Sequence, residues 1–220
     1  MHTKRIQNKG QARIFTNSYL EKLTKTHPAV LYLMYLPLIA WMLYHSASNL
    51  HFHWQPVVLI FFSGMLFWTL FEYVAHRFLF HISTEKPSLQ RIVYIFHGNH
   101  HEFPRDRERL IMPPIPSLIF ATVLFSMMYL VLSRYAFSFF PGFLLGYVLY
   151  VSLHYAIHAM APPFKWLKPL WRNHHLHHYK DEHMGFGVSN LFWDHIFGTA
   201  FDLSKHQEDK EKVKDLMFRD

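Results

Sequence analysis

The chain has 220 residues, a formal charge of +7 and no cysteine, which excludes disulfides and thiolate metal sites. Any metal must therefore be held by nitrogen or oxygen ligands. The chain is 51% hydrophobic and 18% aromatic, yet its mean hydropathy is near zero, which implies one very apolar part joined to one very polar part.

Residues 1–28 are basic and polar. No short apolar core with a small-residue cleavage site follows them, so no removable signal peptide is expected. Four apolar runs come next: roughly Ala29 to Tyr44 with Pro37 interrupting it, Val57 to Val74, Ile115 to Leu132, and Phe137 to Tyr155. Each approaches the ~20 residues that a spanning helix needs. Runs such as VVLIFFSGMLFWTLF lack the 3.6-residue polar period of a soluble bundle helix. The basic balance therefore points to a membrane surface and not to nucleic acid.

Lysine and arginine number six in residues 1–28, none in 45–56, six in 75–114, one in 133–136 and nine in 156–220. This bias predicts that both termini and the central loop lie on the cytoplasmic side. Two helical hairpins result, with short far-side turns at Ser46–Pro56 and near Arg134. Residues 75–114 and 156–220 form a polar cap, entered at Pro113-Pro114 and Pro162-Pro163. Ser204 to Asp220 reads as a solvated, mixed-charge tail.

Histidine is over-represented, at 19 residues. Ten of them fall into four clusters: His76 and His81; His97, His100 and His101; His154 and His158; His174, His177 and His178. Residues three and four apart share a helical face, so each of the last three clusters is expected to project together. The five-residue gap between His76 and His81 does not fit one α-helical face, which predicts a helix end or a distortion there. All four clusters fall on one predicted membrane face, and ten imidazoles are too many for one ion and suit two. His183 and His195 are alternates, His175 is out of phase, and His2, His27 and His206 read as solvent-facing.

These clusters, in this order and spacing, resemble the membrane fatty acid hydroxylase superfamily, which also holds sterol desaturases and carotenoid hydroxylases. Glu72-Tyr-Val-Ala-His-Arg-Phe-Leu-Phe-His81 is similar to its first box. His97-Gly-Asn-His-His through Pro104, Asp106 and Arg109 to Pro113-Pro114 resembles its second. Gly185-Phe-Gly-Val-Ser through Trp193-Asp194 to Phe197-Gly198-Thr199 resembles its closing motif. The likeness covers roughly residues 57 to 201 and is nearest to the fatty acid 2-hydroxylases.

The expected fold is all-α and integral to the membrane, with four transmembrane helices and a cytoplasmic helical cap holding a histidine-rich dimetal site. Its divisions are a cytoplasmic segment 1–28, a hydroxylase domain 29–201 and a charged tail 202–220. The resemblance implies dioxygen-dependent hydroxylation of a lipid acyl chain at carbon 2, with a sterol or carotenoid as the alternative substrate. A non-catalytic metal carrier is disfavoured, because the middles of the runs lack ionisable residues.

Iron is the expected metal, since zinc has no redox chemistry, although zinc can occupy such a site in purified protein. Members of the family often carry an N-terminal cytochrome b5 domain, for which 28 residues leave no room. A separate electron donor, cytochrome b5-like or ferredoxin-like, is therefore expected. No catalytic side chain is expected beyond the metal ligands. Glu72 and Asp194 are candidates to hydrogen-bond ligand histidines from behind, with helix capping or a salt bridge as the alternative. Trp68, Tyr150, Tyr155 and Trp193 are candidate channel residues or interface anchors. Arg77 and Arg109 are candidates for a lipid phosphate or for simple anchoring.

Overall fold

The computed structural model describes residues 6–202, so residues 203–220 of the charged tail, His2 and His206 lie outside the described residues. Among those residues the chain is all-helical: α1 (Ser18–Lys22), α2 (Pro28–Ser48), α3 (Trp54–Ala75), α4 (Pro87–Val93), α5 (Asn99–Glu102), α6 (Pro114–Leu132), α7 (Ala136–Ala159), α8 (Lys168–Tyr179) and α9 (Phe192–Ile196).

Three continuous helical stretches, Pro28–Ser48, Trp54–Phe80 and Pro114–Ala159, are long and apolar enough to cross a bilayer. The last one folds back on itself. Ser133 adopts a φ of +49° between α6 and α7, and Ser117 Oγ at the start of α6 lies 3.5 Å from the Tyr147 hydroxyl, thirty residues on. Leu33, Leu59, Leu130 and Val131 on these helices are each at least 70% exposed. Such a surface suits hydrocarbon and not water, and marks the chain as a membrane protein.

Pro28 at the first turn, with His27 Nδ1 accepting from the Ala29 N–H, starts α2. Pro37 does not interrupt this helix as its sequence position implied. Leu31, Tyr35, Ile39, Met42 and Ser46 form one buried stripe running past it. That packing outweighs the single ladder hydrogen bond a proline ring removes.

The central element is α7, whose inner face buries Phe140, Phe143, Leu144, Val148 and Val151. It crosses α3 at backbone contact. A Cβ at Gly64 would lie 2.0 Å from the Phe139 carbonyl oxygen, and one at Gly142 would lie 1.8 Å from that of Phe61. Gly146, one turn beyond Gly142, makes room for the Trp68 ring. Lipid tails give helices no hydrophobic reason to associate, so close approach over small residues supplies the attraction. It also sets the end of α3, which leads into His76, beside the histidine-bearing end of α7.

Residues 6–26 lie across the central loop. The Gln7 N–H donates to the Glu102 carbonyl and the Thr26 N–H to that of Glu108. Arg109 is enclosed there, donating to Glu21 at 2.5 Å, Asp106 at 2.7 Å and Thr24 at 3.1 Å. Its guanidinium is committed within the protein, which leaves neither the lipid contact nor the interface anchoring considered for it.

Gly64→Ala and Gly142→Ala each force α3 and α7 apart, at a cost of about 1–3 kcal/mol. The melting midpoint in detergent should fall by roughly 5 °C for either. Leu66→Ala, at a side chain 67% exposed, should barely change it. Equal midpoints for all three would remove the close crossing.

Candidate metal centre

The five-residue gap between His76 and His81 is bridged by a π turn, His76–Phe80, that continues α3. The His81 N–H donates to the His76 carbonyl at 3.2 Å. This wider turn brings residues five apart onto one face, the distortion that the spacing implied. A second π turn, Tyr94–Gly98, precedes α5. The buried Asn99 amide donates to the Tyr94 and Ile95 carbonyls, at 2.9 and 2.7 Å, and so satisfies groups the wider turn releases.

All ten histidines of the four clusters converge, in two adjoining groups of five. The first is His76, His81, His97, His101 and His177; the second is His100, His154, His158, His174 and His178. Within each group the candidate ligand nitrogens lie within 4.8 Å of one another. The rings of His101 and His178, one from each group, stack at 4.1 Å. Each His-x-x-His-His motif is thus divided. His97 and His101, four apart, serve the first group and His100 the second, whereas His174 and His178 serve the second and His177 the first. The expected single face for each motif is replaced by two, because the π turn with α5, and α8, each contribute to both groups.

Proton counting shows what the groups can hold. His76 Nδ1 lies 2.6 Å from the Phe186 carbonyl and His177 Nδ1 lies 2.7 Å from that of Met184. A carbonyl only accepts, so both Nδ1 atoms donate, and the neutral rings present bare Nε2 lone pairs inward. His97 Nε2 lies 3.1, 3.1 and 2.9 Å from the Nε2 atoms of His76, His81 and His101. One ring nitrogen serves at most one hydrogen bond, so the other contacts set lone pair against lone pair unless a cation lies among them. Imidazole nitrogens at right angles on one ion, each about 2.1 Å from it, are themselves about 3 Å apart. In the second group, His100–His154, His158–His174 and His174–His178 repeat this spacing at 2.9, 2.9 and 3.1 Å. These groups fit metal ions.

Electrostatics agrees. His97, His100, His101, His174, His177 and His178 are held well below the ordinary imidazole range, chiefly by burial and then by neighbouring imidazoles. His81 is lowered for the same reasons. Neutral imidazole is the ligating form.

Glu72 and Asp194 bond no ligand histidine among the described residues, contrary to one expectation for them. Both clamp the loop that carries the anchoring carbonyls. Asp194, fully buried, accepts from the N–H groups of Phe186 and Gly187 at 2.9 and 2.8 Å and from the Thr199 hydroxyl at 2.8 Å. Burial raises its pKa, with these hydrogen bonds opposing. Glu72 accepts from the N–H groups of Val188 and Ser189, both at 2.8 Å, and from the Ser189 hydroxyl. Gly187 has no room for a side chain, since a Cβ there would meet the Asn190 carbonyl oxygen at 2.1 Å. Asn173, which sequence reasoning missed, donates to the Gly187 carbonyl. An asparagine beside a histidine pair carries no signal distinguishing it from a surface residue.

The remaining candidates separate. His183 and His195 are exposed, and His175 bonds the Trp171 carbonyl; none joins either group. Trp68 is buried against Phe143 and Tyr147, in the interior and not at an interface. Tyr150 stacks on His154, and Trp193 donates to Thr69 on α3. Tyr155 packs at the edge of the apolar core. Arg77 bonds the Tyr73 hydroxyl and lies over the Phe186 ring.

A model of the fatty acid hydroxylase family matches residues 61–199, a stretch that contains all ten histidines. The chain belongs to the fatty acid hydroxylase family. It is 38% identical to the ceramide very long chain fatty acid hydroxylase of Schizosaccharomyces pombe, over 90% of this chain and 57% of that one. It is 35% identical to a dihydroceramide fatty acyl 2-hydroxylase of Arabidopsis thaliana, over 85% of this chain and 79% of that one. The solved structure of full-length Scs7p, of which only the hydroxylase domain is visible, superposes with a TM-score of 0.80 at 35% identity, covering 88% of this chain and 74% of that one. The chain spans little more than half the length of the two yeast relatives, 57% and 52%.

The lowered imidazoles make a sign-definite prediction for metal-free protein. Unfolded, these rings take up protons near 6.5; folded, they do so only at lower pH. The unfolded state therefore binds more protons below that value, so stability is complete above it and falls as pH drops. The melting midpoint should be at least about 10 °C lower at about pH 5 than at about pH 7.5. A flat profile would mean that these rings are not buried as neutral groups.

Proposed function

We propose that this chain is an integral membrane hydroxylase that oxidises a lipid acyl chain at carbon 2, using two metal ions, one in each histidine group. The observation that carries this is the convergence of five imidazole nitrogens in each of two adjoining groups. Names of the relatives support the acyl substrate and the position of attack. The helices α2, α3, α6 and α7 are the four spans, and the lysine and arginine distribution supports a cytoplasmic cap, metal site and termini.

Replacing a C–H bond at carbon 2 by C–OH is a two-electron oxidation, so acid–base side chains alone cannot perform it, even though the neighbouring carbonyl makes that proton weakly acidic. Two iron ions held by the ten histidines would supply the required oxidant, drawing on dioxygen and on two electrons from a cytochrome b5-like or ferredoxin-like donor protein. The chain's own contribution is position, access and protection. His154 and His158 near the end of α7, and His76 in the π turn that continues α3, sit where these helices leave the apolar layer. An acyl tail lying among the spans, with its carbonyl end at the cap, thus brings its second carbon beside the histidine groups. Enclosure of the second group, all five rings of which are buried, keeps bulk water from it.

Lipid mass spectrometry on cells expressing the chain with a suitable reductant tests this reading. Cells with the unaltered chain should gain 2-hydroxy acyl lipids, whereas His154→Ala and His178→Ala should fall to background with the protein still in the membrane. Hydroxylated sterols or carotenoids in place of 2-hydroxy acyl chains would refute the substrate. Full hydroxylation by both variants would refute the ligand assignment.

A further inference from the structure

The two histidine groups are built from the same donor, in the same number, yet they are supported differently. In the first group, the outer nitrogens of His76 and His177 are tied to the Phe186 and Met184 carbonyls. The outer nitrogen of His101 lies 3.9 Å from the Glu182 carboxylate. In the second group, His154 is tied to the Leu110 backbone, but the outer nitrogens of His100, His174 and His178 are buried with no protein partner among the described residues. Ligand rings without such partners are less basic and less fixed in orientation.

Charge acts in the same direction. Neither group contains an anionic ligand, so a divalent ion keeps its full charge. The first group is open at His81 and His101 and has Glu182 beside it, whereas all five rings of the second are buried. Enclosing an uncompensated charge is costly, and the second group encloses it more completely.

We infer that the groups are unequal sites: the first binds its ion tightly, the second binds about 10- to 100-fold more weakly, and Asp194 with Glu72 sets the difference. These carboxylates are positioning residues. They hold residues 186–189 by backbone N–H groups, and that loop in turn aims the Phe186 carbonyl at His76. No carbonyl held in this way meets the outer nitrogen of His100, His174 or His178. The inference rests on the reading that both groups hold metal.

Zinc alone is a suitable probe, being redox-silent and well matched to imidazole. The purified zinc-loaded chain in detergent is equilibrated against a graded series of chelator-buffered free zinc, and zinc per chain is counted. Two single-ion steps are expected, separated by about 10- to 100-fold in free zinc. His178→Ala should remove only the weak step, and His177→Ala only the tight one. Asp194→Asn sets an amide N–H against a backbone N–H. It should move the tight step towards the weak one and leave the weak step in place, which general loosening of the fold would not do. A single two-ion step overturns the inference, and the unaltered chain alone decides that if a variant does not fold. A tight step that survives His177→Ala and disappears in His178→Ala also overturns it. Absence of zinc from the unaltered chain at every concentration sinks the proposed function itself.

Discussion

Nitrogen lone pairs repel one another at 3 Å, and this fold forces that approach repeatedly around His97, His100 and His174. Hydrogen bonds cannot resolve the crowding, because each ring has one inward nitrogen and that nitrogen faces several others. Only a cation among them makes the arrangement favourable. The rest of the described structure supplies the restraint that holds imidazoles where they would otherwise move apart.

That restraint is distributed over distant parts of the chain. Glycines at the crossing of α3 and α7 bring His76 and His154 from different spans to the same place. Two π turns re-aim histidines that a regular helix would point elsewhere. Glu72 fastens the loop at 186–189 to α3 and Asp194 fastens it to α9, with Tyr73 bonding Thr199 nearby. Arg109, Glu21 and Asp106 fasten the amino-terminal segment over the second histidine box. Buried ion pairs of this kind are weak evidence for stability in themselves. Here they fix the path of a polar loop that has little apolar surface to bury.

Much of this was legible in the sequence. The four apolar runs match α2, α3, α6 and α7 to within several residues, because lipid imposes a length and a composition that no soluble helix requires. Three of the four histidine clusters stood out because their spacings of three and four residues are helical. The His76–His81 gap revealed a distortion, though not its kind, since a π turn depends on partners such as those Asn99 provides in its sister turn. Division of each His-x-x-His-His motif was not legible, because spacing tells which residues share a flank but not what each flank meets. Nor were the anchors of His76 and His177, which are carbonyl groups that every residue possesses. The roles of Glu72 and Asp194 were hidden for the same reason, since both act on backbone N–H groups far along the chain.

The central claim is that ten inward nitrogens surround two ions. An anomalous difference map from crystals of the purified protein, recorded at the absorption edge of its bound metal, tests it most directly. Two peaks are expected, each about 2.1 Å from the five Nε2 atoms of one group. One peak, or peaks held through Nδ1 or by residues outside these ten, would contradict the account.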